Sequence, residues 1–182
     1  MRLAHAILGL VAAGGIALAA IVSAEDSYGQ ASKSPTIPGE HALANGFNHC
    51  LGALDVATRD LVKSAPYDAM SRWSSDKPDN HLFDTVLAVR KPQSVGLVIV
   101  APTGDGGCDT VSEQVGYFAQ SCPVFRDTVL KEWRLLWDGK ALIAYRASDG
   151  TVALLVNAGE GCVVIEQRVQ YGAAAAKAKA KP

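Results

Sequence analysis

The chain has 182 residues, 49% of them hydrophobic, with 17 Lys or Arg, 18 Asp or Glu and a formal net charge of −1. That length is enough for one compact domain with a substantial core. The near-neutral, slightly acidic balance argues against a nucleic-acid partner, because neutralising phosphates takes clustered Lys and Arg.

The N-terminus carries Arg2, then an uncharged run from Ala6 to Ala24 rich in Ala, Ile, Leu and Gly, ending in Val22-Ser23-Ala24. A positive start, an apolar stretch and small residues at its end predict a secretory signal peptide over residues 1–24. The same run is about long enough to span a bilayer, so an uncleaved anchor is the rival reading. Cleavage would leave 16 basic and 18 acidic residues and no stable membrane insertion. The Ala-rich signal reads as bacterial, which predicts a periplasmic or secreted protein. Residues 25–39 are polar, with two prolines and two glycines, and read as a flexible leader. Residues 173–182 form a low-complexity Ala/Lys tail. Between them, residues 40–172 read as the single compact domain.

Residues 40–63 carry Leu43, Phe47, Cys50, Leu54 and Leu61 at helical spacing, which predicts one helix with Cys50 facing inward from its interior. Pro66 ends it, and residues 67–73 read as a further turn of helix. Three strand-like runs follow, at residues 82–90, 95–101 and 108–118. The last of these alternates, with Val111, Val115 and Tyr117 on what reads as the inner side. "AQSCPVFRDTVLKEW" returns to helical spacing, with Ser121 or Cys122 as N-cap, Pro123 at the first helical position and an apolar stripe through Phe125, Val129, Trp133 and Leu136. Residues 140–147, 151–157 and 162–171 read as three more strands, the first two joined by a turn at Ser148-Asp149-Gly150.

The order is therefore helix, three strands, helix, three strands. "GCDTVSEQVGY" (residues 107–117) and "GCVVIEQRVQY" (residues 161–171) match at Gly, Cys, Val and Tyr without a gap. Shorter matches at offsets of 56 and 57 place the length changes in turns, as two diverged copies would. The expected fold is α+β: two tandem helix–three-strand units, residues 40–118 and 119–172, forming a mainly antiparallel sheet with helices packed on one face. The other face would be wet, or would bind something.

Four cysteines remain after residue 24: Cys50, Cys108, Cys122 and Cys162. An even count in an exported chain reads as two disulfides, and no Cys-x-x-Cys or zinc-ligand spacing is present. Cys108 and Cys122 are too far apart along an extended segment to pair. The expected staples are Cys50–Cys108 and Cys122–Cys162, one helix-to-strand link in each unit. One feature opposes this pairing. By alternation Cys108 shares a side with Ser112 and Gln114, and Cys162 with Glu166 and Arg168, which reads as the wetter face. The pairing then calls for a bulge, or for cysteines placed before regular pleating begins.

No catalytic constellation is visible in the linear sequence. His41, His49 and His81 lack a shared ligand spacing, and no Gly-x-Ser-x-Gly elbow or P-loop occurs. No cofactor or metal site is expected. The candidate contact residues are Trp73 and Trp137, as aromatic anchors, and Asp105 and Glu160, in glycine-rich loops that a twofold pairing of the units could bring together. The expected function is an exported non-catalytic binding protein, an accessory subunit, envelope factor or inhibitor, whose partner is another exported or envelope protein. The alternative is an exported hydrolase with a site assembled from residues distant in sequence.

Overall fold

The structure is a computed structural model that describes residues 35–174 except residue 91. The expected signal peptide, most of the leader and most of the Ala/Lys tail lie outside the described residues. No helix among the described residues is long and apolar enough to cross a membrane.

The expected long helix is two helices, α1 (Ile37–Ala44) and α2 (Leu51–Val62). α1 starts where Thr36 caps it, its Oγ1 accepting from Gly39 N at 3.1 Å, and Pro38 sits in the first turn, where no N–H is needed. Asp55 of α2 accepts from Thr36 N at 2.9 Å, so the end of the expected leader is tied to the second helix. Asn45 closes α1, and Gly46 follows with φ +77°, a conformation that favours glycine. Asp79 then accepts from the backbone N–H groups of Asn48 and His49, at 2.5 and 2.8 Å, just before α2. Cys50 is therefore the N-cap of α2, not a helix-interior residue.

All eight strands form one antiparallel sheet in the order β1-β2-β3-β4-β8-β7-β6-β5. β1 (Tyr67–Trp73), β2 (Phe83–Arg90), β3 (Gln93–Pro102) and β4 (Gly107–Phe118) form one meander. α3 (Cys122–Val129) carries the chain away, and β5 (Arg134–Asp138), β6 (Ile143–Arg146), β7 (Val152–Ala158) and β8 (Gly161–Ala174) form a second. The two meanders meet where β4 pairs with β8. Two strands exceed expectation. Residues 67–73 are a strand, not a helical turn, because Tyr67, Ala69, Ser71 and Trp73 alternate against β2. The helical stripe through Trp133 and Leu136 also fails. α3 stops at Val129, and the chain re-enters the sheet as an edge strand.

At the centre of the sheet Glu113 faces Gln167, with Val111 opposite Val169 and Val115 opposite Ile165. Both helix layers pack on the side that carries Cys108 and Cys162. Around α1 and α2 the buried core includes Phe47, Leu54, Phe83, Leu87, Val98 and Val100. Around α3 a smaller cluster holds Phe125, Leu130, Leu155 and Val164. Cys50–Cys108 and Cys122–Cys162 are both bonded, with Cα–Cα distances of 5.8 and 4.8 Å. The strand alternation holds, and it does not oppose this pairing. The side with Cys108, Ser112 and Gln114 is the helix-covered side, and the side with Val111, Val115 and Tyr117 is open.

Glycine opens both central strands, and at Gly161 the reason is steric. A Cβ there would lie 2.6 Å from the backbone oxygen of Phe118 and still closer to the Tyr117 ring. A carbonyl locked in the central ladder cannot step aside cheaply. Gly161→Ala should therefore lower stability by about 1–3 kcal/mol as overpacking, read as a lower denaturant midpoint at unchanged slope. A midpoint within error of the parent would refute this close packing.

Candidate binding surfaces

The two helix layers do not meet over the middle of the sheet. Here β4 and β8 carry Ser112, Gln114, Glu166 and Arg168 toward the helices, where apolar residues would be expected. The gap is a cleft of about 260 Å³, walled by Asp60 of α2 and Lys63 just after it on one side and by Trp133 and Asp149 on the other. Its polar groups are held in place. Arg168 pairs with Asp149 and donates to Thr151 Oγ1 at 3.1 Å. Gln114 Nε2 donates to Ser94 Oγ at 2.9 Å. Asp149 accepts from Thr151 N at 3.0 Å. Bonding to Thr151, with Arg168 adding to it, holds its carboxyl below the usual carboxylate range. Lys63 ends α2 with φ 53°, a left-handed conformation for a residue with a side chain. The cleft thus offers fixed donors and acceptors of both charges beside one aromatic ring, which suits recognition of a polar segment.

The opposite face of the sheet has no described element packed on it. One cross-strand row there runs Ala88, Val95, Val115, Ile165, Leu154, Ala144 and ends at Trp137. The next row contains Val86, Leu97, Glu113, Gln167 and Val152. Gln167 Nε2 donates to Glu113 Oε1, so the central acid is hydrogen-bonded. Val95 is 51% exposed, Val115 37% and Val169 40%. Charges collect at the edges. Asp68 pairs with Arg90 and Arg72 with Asp84 along β1 and β2, while Arg134 stands opposite Arg146 across β5 and β6.

The four sequence-derived contact residues do not form one site. Trp73 lies on the helix side, stacked on Phe83 with ring centroids 6.1 Å apart. Trp137 is 63% exposed on the open face, at the β5 edge. Asp105 sits in the β3–β4 turn, bonded to Thr103 and Gly107. Glu160 lies in the β7–β8 turn. Antiparallel pairing of β4 with β8 puts Cys162 opposite Phe118 and Gly107 opposite Ala174. The two turns are therefore at opposite ends of the central ladder, roughly 35 Å apart for eleven extended residues, and do not come together.

Sequence reasoning missed two features. The polar cleft was read as the wet side of an alternating strand. His41 Nδ1 lies 2.9 Å from Ser71 Oγ, which itself bonds Thr85 Oγ1 at 3.1 Å. These residues are thirty apart, and no linear motif signals the contact. His49 is close to Cys50 and Cys108, but those two sulfurs are bonded to each other and not free as thiolate ligands. Comparison with family models, with curated proteins and with solved structures finds no match.

Proposed function

We propose that this is an exported, non-catalytic binding protein made of two copies of one helix-and-sheet unit, and that its central cleft takes a polar segment of another exported protein. The observation that carries the reading is the polar strip Ser112, Gln114, Glu166 and Arg168, left uncovered between two helix layers and braced by Asp149, Thr151 and Ser94. Buried apolar packing does not need such a strip; a ligand with its own donors and acceptors does. Support for two copies comes from register. Glu113 and Gln167 hold the seventh place in the two matching stretches and face each other at the centre of the sheet, as a twofold between copies requires. Support for export comes from the two disulfides, which persist in oxidising compartments.

A second reading, an exported hydrolase, has the Ser71–His41 contact behind it. One experiment separates the two: affinity capture from envelope extract, with a hydrolase panel run alongside. The binding reading expects a stoichiometric partner whose capture falls at least tenfold when the cleft rim is charge-reversed by Asp60→Lys with Lys63→Glu. Capture unaffected by those changes would reject the cleft. Turnover abolished by Ser71→Ala would replace binding with hydrolysis.

A further inference from the structure

We propose that the open sheet face is the contact between two copies of this chain, which pack as a two-sheet sandwich about a twofold axis parallel to the central strands. This does not depend on the cleft, which lies on the opposite side of the sheet.

The size of the face fits a second copy. Strands lie about 4.8 Å apart and alternate residues about 6.6 Å apart, so three rows across β2 to β6 cover roughly 600 Å² in plan. The corrugated accessible surface over that plan approaches the roughly 800 Å² per partner of a standard interface. The plan area lies at the upper end of the range of about 300–600 Å² for the largest patch on an ordinary monomer. Its anatomy is that of an interface: apolar rows flank the hydrogen-bonded Glu113–Gln167 pair at the centre, and further charges sit on the outer strands.

The pattern on the face also selects the orientation. A twofold along the strands lays β4 of one copy over β8 of the other. Glu113 then meets Gln167 across the interface, and Val115 meets Ile165. Gln167 Nε2 has two hydrogens, one already given to Glu113 of its own chain, so the second can reach the other copy's carboxylate. A twofold perpendicular to the strands would instead stack Glu113 on Glu113, two like charges each with only its own chain's Gln167 as donor. Two sheets in this arrangement pack about 10 Å apart with their inner side chains interdigitating.

The test is sedimentation equilibrium on the purified protein, from about 1 to 100 µM. The parent should sediment at twice the chain mass over most of that range. Val95→Lys should shift it to the monomer, with association weakened at least a hundredfold relative to the parent. Val95 is already half exposed, so the change does not threaten the fold, and an unchanged near-ultraviolet circular dichroism spectrum would verify that. Val56→Lys makes the same chemical change at a 53% exposed position on α2 and should leave the dimer intact. A monomeric parent at 100 µM would overturn the proposal, as would a Val95→Lys protein that remains dimeric. A monomer that instead floats with anionic lipid vesicles would also overturn it and assign the face to a membrane surface.

Discussion

Removing the Cys122–Cys162 staple, as Cys122→Ala with Cys162→Ala, should cost about 2–5 kcal/mol and destabilise β5–β8 before the rest of the sheet. Opening a link with a separation of 40 residues restores about 4 kcal/mol of chain entropy to the unfolded state in the loop-closure model. The second meander has little else to offset that loss. Its buried cluster is small, and the covering helix α3 has only eight residues, too few to be stable unaided. Along α3 only Cys122 and Phe125 are buried, while Val124 and Val129 are half exposed. Losing the bond frees one of its two anchors, although Phe125 keeps its contact with Phe118 at 4.6 Å between ring centroids. The Cys50–Cys108 pair closes a longer separation of 58 residues, with a similar entropic term. It sits in a larger core, beside Phe47, Leu54 and Phe83, so its removal should leave a cooperative fold of reduced stability. Hydrogen exchange would read the difference. In the Cys122/Cys162 variant, β7 should exchange by local opening while β2 and β3 remain protected to the global limit. Uniform loss of protection across both meanders would show that the second half has no separate weakness.

The cysteine pairing was legible in the sequence because an extended strand separates Cys108 from Cys122, and because each helix–three-strand unit carries one helix cysteine and one strand cysteine. The start of α3 was legible because Pro123 acts locally in its first turn; Ser121 takes the N-cap position without a side-chain cap bond. The break between α1 and α2 was not. Phe47 and Cys50 are both fully buried although neither is inside a helix, so the apolar stripe continues across a turn that interrupts the backbone. Periodicity reports burial, and here burial outlasts the helix. β1 was not legible because its alternation has meaning only beside β2. The sidedness of the sheet was inverted because Val111, Val115 and Val169 were assumed to seek the core. The helices cover the side with the cysteines instead. The cleft and the open face, the two surfaces proposed to bind, both lie where that assumption is inverted. A single sequence shows two alternating faces and cannot say which one the helices choose.

Phe83→Ala should be the most damaging single substitution in the first meander, at about 3–5 kcal/mol. Phe83 is fully buried on β2. Its ring lies 5.1 Å from that of Phe47 and stacks on Trp73 at 6.1 Å between centroids. It therefore joins the α1–α2 turn, the end of β1 and the sheet at one point. The loss has two parts, the transfer energy of the benzyl group and the cavity it leaves. That cavity is poorly placed to collapse. Phe47 cannot move far into it, because its amide donates to Ala42 O at 3.0 Å and the adjoining turn is fixed by Asp79 and by the Cys50–Cys108 bond. Trp73 is part of the β1–β2 ladder, directly opposite Phe83. Phe83→Leu keeps most of the volume and should cost under about 1.5 kcal/mol. For a domain of this size, a loss of 3–5 kcal/mol corresponds to a fall in Tm of roughly 10–20 °C, measurable by circular dichroism with both disulfides intact. If Phe83→Ala melts within about 3 °C of the parent, the Phe47–Phe83–Trp73 cluster does not hold the first helix pair to the sheet, and the anchoring role passes to Leu54 and Leu87.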